Sequence, residues 1–269
     1  VKDTTKRTSP DRPDGRSDPS LIGRRSLLVG IGALGAASLA SGLVAGCGGS
    51  GSDVGSPPST LDGEILGAAK VAEALATTMY TGIIELSPFF AALPRDDQDY
   101  FRAARDEEKY HYDLLKGATG GSDAPLVYFF PTGMFADTAT TLTVLVTLEE
   151  AFIAAYLLGV RELSAPGLRV LAAQIMGVES DHRTLARLIA SEEGLTELTT
   201  FGGQPESTAP PNNNVYERTY GVRQIAQVVS ALRPFIDRSA AGTAGHTVER
   251  TFDPSYVPNF PGLLGNPPD

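Results

Sequence analysis

Thiols are almost absent from this chain. Cys47 is its only cysteine, so neither a disulfide framework nor a thiolate metal site can be built within one molecule. Histidine is nearly as scarce, with 3 in 269 residues, so the position of each one is informative. Basic charge is in deficit too: 22 Lys/Arg against 32 Asp/Glu gives a formal charge of −10. That balance argues against nucleic acid as a partner and repels anionic lipid. A long unbroken apolar run is also missing near the N-terminus. Residues 27–45 come nearest, but Gly30, Gly32, Gly35 and Gly42 interrupt them and make a poor membrane span.

What stands there instead has the form of an export signal. A polar, mixed-charge stretch leads to Gly23-Arg24-Arg25-Ser26-Leu27-Leu28, which resembles a twin-arginine (Tat) signal. The weakly apolar segment ends at Val44-Ala45-Gly46-Cys47, which resembles the lipobox of bacterial lipoproteins. The expectation is a Tat-type lipoprotein signal peptide over residues 1–46, removed on maturation, with Cys47 lipidated. The Tat translocase would be a transient partner, and the membrane a lasting one through Cys47. The mature protein would be exported and lipid-anchored on the outer face of the bacterial cytoplasmic membrane. Loss of residues 1–46 takes 7 of the 22 Lys/Arg and 4 of the 32 Asp/Glu with it, leaving a formal charge of −13. Lipid rather than charge must then hold the protein at the membrane.

Residues 47–60 (CGGSGSDVGSPPST) have nothing to bury and read as a flexible tether. Four helical patterns follow, at about 61–92, 95–116, 137–164 and 166–193, with Pro88 bending or ending the first and Gly117 closing the second. The short first and third connections predict antiparallel neighbours. Between the second and third helices, Ala118–Ala136 is long enough to run the length of the bundle. One long crossover in the middle is the topology of ferritin-like four-helix bundles, so the predicted fold class is all-α. Residues 194–269 read as a C-terminal extension with a short fifth helix near 222–236 and an irregular tail, without a separate second domain.

The apolar stripe of each helix carries the chemistry. The first reads Leu66, Ala69, Glu73, Ala76, Tyr80, Ile83, and the second Phe101, Ala104, Glu108, His111, Leu115. The third reads Leu142, Leu145, Glu149, Phe152, Tyr156, Val160, and the fourth Leu168, Ala172, Ile175, Glu179, His182, Ala186, Ile189. Each core-facing row holds a glutamate, and two rows add a histidine three residues later. Four facing carboxylates in a core cost several kcal/mol each unless compensated. Two divalent cations would reverse that cost, and one Glu from each of two helices plus Glu-x-x-His from each of the others is the ligand set of dinuclear carboxylate bundles. The predicted metal ligands are therefore Glu73, Glu108, His111, Glu149, Glu179 and His182. The stripes select Glu149 over Glu150 and Glu108 over Glu107, so Glu107 and Glu150 are expected to be solvated.

Glu73 and Tyr80 are seven apart, as are Glu149 and Tyr156, and Glu108/His111 correspond to Glu179/His182. With the segments AEALATTMY, DEEKYHYDLL, LEEAFIAAYLLG and VESDHRTLARLI, residues 61–193 resemble the bacterial ferritin-like domain family of the ferritin/rubrerythrin superfamily. Members of that family are often Tat-exported. The resemblance implies that Tyr80 and Tyr156 hydrogen-bond the ligand carboxylates. The donor set suits two metal ions, iron first and manganese as an alternative. The leading expectation is a di-iron centre oxidising Fe(II) with dioxygen or peroxide. The rival is a non-catalytic envelope or stress-related protein, akin to desiccation-associated proteins, in which metal stabilises the bundle. A homodimer is compatible with this architecture. A closed storage cage is disfavoured by the tether and the C-terminal extension.

Overall fold

The computed structural model describes residues 60–259 apart from 122, 196–197, 199, 202–203 and 206–221. The export signal, Cys47 and the tether to residue 59 therefore lie outside the described residues. Those described fall within one compact unit, Gly55–Pro261.

Helix α1 (Thr60–Leu86) stops at Ser87 because Pro88 has no N–H to continue the ladder and disfavours helical geometry in the residue before it. A short helix, α2 (Pro88–Ala92), restarts with that proline in its first turn and buries Phe89 and Phe90. Helix α3 (Arg95–Ala118) opens with Asp96 and Asp97 and carries Lys116 in its last turn, both complementing the helix dipole. It runs one residue past Gly117, the expected closure. The chain turns instead at Gly120 and Gly121, both near φ +85°, with the Gly121 N–H donating to the Lys116 carbonyl at 2.8 Å.

Helix α4 (Thr138–Glu162) is capped by Asp137, whose carboxylate accepts the Thr140 N–H at 2.7 Å. Helix α5 (Pro166–Glu192) begins on a proline and ends at Gly194, where φ of +75° lets the Leu195 N–H reach the Ala190 carbonyl at 2.8 Å. α1 packs on α3 and α4 packs on α5, as the short connections require. All four helices face one core, and the all-α bundle stands. Buried alanines lie one turn from Glu73, Glu108 and His182 on the core faces, at Ala76, Ala104 and Ala186. Small residues there allow the helix axes to approach closely enough for side chains from all four to converge.

The crossover is more regular than a bare loop. Residues Val127–Phe130 form β1, which pairs antiparallel with β4 (Val248–Thr251) in the register Val127↔Thr251 to Phe130↔Val248. Tyr128, Phe130 and Phe135 are buried against the bundle. Two dipeptide strands, β2 (Thr200–Phe201) and β3 (Gln204–Pro205), form a minimal hairpin after α5. The fifth helix is α6 (Ile225–Ile236), starting three residues later than its sequence pattern predicts and accommodating Pro234 in its last turn. The tail beyond it is irregular only in part: α7 (Arg238–Ala244) and β4 are ordered elements. The extension therefore straps the crossover from outside. The Phe252 N–H donates to the Leu126 carbonyl at 2.8 Å, and the Phe252 ring packs edge-on against Tyr112 with centroids 4.8 Å apart.

Candidate metal centre

The stripe on each helix delivers its polar residues to the same place. Glu73 on α1, Glu108 and His111 on α3, Glu149 on α4, and Glu179 and His182 on α5 are all buried, and none is more than 6% exposed. Their ligand atoms fall into two groups, Glu73/Glu108/His111/Glu179 and Glu108/Glu149/Glu179/His182, each with its atoms within 4.8 Å of one another. Glu108 and Glu179 belong to both. His182 Nδ1 lies 2.9 Å from Glu108 Oε1 and 3.3 Å from Glu179 Oε2. His111 Nδ1 lies 3.4 Å from Glu73 Oε2, 3.6 Å from Glu179 Oε1 and 3.8 Å from Glu108 Oε2.

Close approach here leaves many of these atoms without a well-aligned hydrogen bond. Eight of the eleven buried side-chain polar atoms without a hydrogen-bond partner, among the described residues, belong to these six side chains. They include both oxygens of Glu108 and of Glu179, and Nδ1 of both histidines. Buried polar groups are normally satisfied, and leaving one unsatisfied costs about 1–3 kcal/mol. A cation could satisfy these converging oxygens and nitrogens together. The donor set of four carboxylates and two imidazoles could hold metal ions.

The outer carboxylates are steadied from across the bundle. Tyr80 on α1 donates to Glu149 Oε1 on α4 at 2.6 Å, and Tyr156 on α4 donates to Glu73 Oε1 on α1. The exchange is reciprocal, because the seven-residue spacing repeats in both halves. Burial pushes both phenols well above their usual range, so each remains a donor.

The electrostatics follow from burial and crowding. Burial, then the charges of Glu179 and Glu108, pushes the Glu73 carboxyl well up. Burial and the neighbouring Glu108 charge do the same to Glu149. Burial also opposes charge on Glu108, but contacts from His111 and His182 outweigh it and hold that carboxyl low. Both imidazoles are lowered by burial yet end well above their usual range through the surrounding carboxylates. Without metal, protons do part of the neutralising that cations would do.

Residues 61–192 match the ferritin-like domain family. The bundle is a ferritin-like domain. No curated protein and no solved structure matches the chain. Within the ferritin-like domain the stripes selected six residues, and the fold brings all six together. Glu150 is solvent-exposed, as expected, 3.8 Å from Arg183. Glu107 departs from expectation: it is 40% exposed, and its Oε2 lies 2.9 Å from His182 Nε2. A residue beside the stripe points about 100° away from the core axis and so can meet the flank of the neighbouring helix. The adjacent acids Glu107-Glu108 were the available signal, but the partner's position on α5 was not visible in sequence.

Proposed function

We propose that the ferritin-like domain holds a dinuclear metal centre, di-iron by preference with manganese as the alternative, and oxidises Fe(II) with dioxygen or peroxide. The convergence of two overlapping donor groups on shared Glu108 and Glu179 carries this reading. Glu73 and His111 would hold one ion and Glu149 and His182 the other, with Glu108 and Glu179 common to both donor groups. Bound iron would supply the electrons that reduce the oxidant. The protein's own part is positional: Tyr80 and Tyr156 fix the outer carboxylates, the bundle excludes bulk water, and each histidine offers Nδ1 inward. Anaerobic Fe(II) titration should saturate at about two irons per chain. Unchanged stoichiometry in a Glu108→Ala/Glu179→Ala variant, or no binding at all, refutes the reading.

One observation favours a second reading, in which metal only stabilises the bundle. The six ligands are nearly or fully buried, as in a closed structural site. Melting with and without chelator, run beside an oxygen-consumption assay, separates the two. Metal-dependent melting without turnover selects the structural role.

We further propose that the domain works outside the cytoplasmic membrane, delivered by the Tat translocase and tethered by lipid on Cys47. The support is the Arg24-Arg25 pair and the Val44-Ala45-Gly46-Cys47 sequence. Mass spectrometry of the mature N-terminal peptide should find a diacylglyceryl adduct on Cys47, and Cys47→Ser should release the protein from membranes.

A further inference from the structure

The two halves of the centre are related by a weak internal repeat, and the residue before the shared glutamate breaks it. Glu108 and His111 on α3 correspond to Glu179 and His182 on α5, and the Tyr80–Glu149 bond corresponds to the Tyr156–Glu73 bond. The residue before Glu108 is Glu107; the residue before Glu179 is Val178. Glu107 reaches from α3 to the far nitrogen of His182, with Oε2 and Nε2 2.9 Å apart. Valine cannot make the equivalent contact, and among the described residues no hydrogen bond to His111 Nε2 is found.

We propose that Glu107 is the positioning carboxylate of His182 and that it makes the two metal positions unequal, the Glu149/His182 position binding a divalent cation more tightly than the Glu73/His111 position. The inference rests on the dinuclear reading above. The His182 side chain is wholly buried, and its Nδ1 already faces Glu108 and Glu179 at 2.9 and 3.3 Å. An imidazole that ligates through Nδ1 carries its proton on Nε2. Glu107 accepts that proton in a charge-assisted hydrogen bond, which fixes the tautomer and ring orientation and makes Nδ1 a stronger donor to metal. Tyr80 and Tyr100 meet the ring in T-shaped contacts, with centroids 5.7 and 6.3 Å from it. His111 has its Nδ1 aimed at the centre, and among the described residues its carboxylate contacts all run through that nitrogen. Loading is therefore sequential, with the Glu107-backed position filling first.

The test uses the full chain, freed of metal, and Co(II) as an anaerobic probe read by its visible absorption. Wild type should bind two Co(II) in separable steps. Glu107→Ala should weaken the first step about 10- to 100-fold, the usual effect of losing a carboxylate behind a ligating histidine, and leave the second unchanged. Glu107→Gln, whose amide oxygen still accepts, should restore most of the loss. Glu150→Ala removes the same charge from an exposed position and should leave both steps as in wild type. In the Zn(II)-loaded protein, nitrogen-15 NMR should show a slowly exchanging His182 Nε2–H that disappears in Glu107→Ala while the His111 signals stay in place. Equal losses in Glu107→Ala and Glu150→Ala, or an unaltered His182 Nε2–H, overturn the proposal while leaving the dinuclear reading intact. A wild type that binds no Co(II) overturns both.

Discussion

Glu108 and Glu149 are both wholly buried glutamates of one centre, yet their surroundings assign them opposite states when metal is absent. Glu108 sits between His111 and His182, whose contacts hold its carboxyl low despite the cost of burial. Glu149 is pushed well up by burial and by the Glu108 charge, and it accepts from Tyr80 at 2.6 Å. Replacing each with glutamine should therefore separate stability from metal binding. Glu149→Gln resembles the protonated acid and keeps an acceptor for Tyr80, so the metal-free protein should stay within about 0.5 kcal/mol of wild type. Glu108→Gln breaks a buried charge pairing and should cost about 3–5 kcal/mol. Both should lose affinity for metal, because an amide is a poorer donor than a carboxylate. Urea unfolding of the chelated variants checks the first pair of expectations, and equal destabilisation would contradict the assignment. Tyr156→Phe removes the phenol hydrogen bond to Glu73, the outer carboxylate of α1, and should destabilise the metal-free protein by about 1–3 kcal/mol.

At the scale of elements, the crossover is where the fold is least local. Gly82 on α1 faces the Phe135 ring so closely that a Cβ there would lie 2.6 Å from two ring carbons. Alanine at that helical position gains about 1 kcal/mol of propensity but forces a buried ring to shift, at about 1–3 kcal/mol. Gly82→Ala should therefore destabilise, by about 1 kcal/mol, in contrast to the gain expected of Gly→Ala on an exposed helix face. Phe252 pins the extension onto α3 through Tyr112, the neighbour of His111. Phe252→Ala should cost about 3–5 kcal/mol in chemical denaturation if the extension is part of the folding unit, and almost nothing if it is an appendage. The four long helices were legible because each carries an apolar stripe, a proline or acidic start and a glycine-rich end within its own residues. The six buried polar side chains of the centre were legible for the same reason, since they interrupt those stripes. β1 and β4 were not, because four-residue strands leave too little periodicity and their partners lie far apart in sequence. Glu107 escaped because it lies off the stripe and acts on a different helix. The Phe135–Gly82 contact escaped because a loop's path across a bundle leaves no pattern in either segment.

Over the whole molecule, proton and metal would compete for the same buried charge, and this fixes the sign of the pH dependence. Glu73 and Glu149 are pushed above the usual carboxylate range, and His111 and His182 end above the usual imidazole range. Groups raised in the folded state bind protons more tightly there than in the unfolded chain. Their contribution is complete below the unfolded pKa values and is lost as pH rises through the folded ones. Glu108 is held low and has the opposite sense: its contribution is present above the ordinary carboxylate range and is lost as pH falls below it. Above the ordinary carboxylate range the four raised groups therefore decide, and the metal-free protein should lose stability as pH rises. Metal-bound protein should behave oppositely. Its carboxylates and imidazoles must shed protons to ligate, so cation affinity, and the stabilisation linked to it, grows with pH. The melting-temperature gap between metal-loaded and chelated protein should thus widen steadily from about pH 5.5 to about pH 8.5, with the chelated form melting lower at the alkaline end. Calorimetry at constant free metal measures both curves. A chelated protein that melts higher at pH 8.5 than at pH 5.5 would mean that the buried glutamates are not the groups limiting its stability.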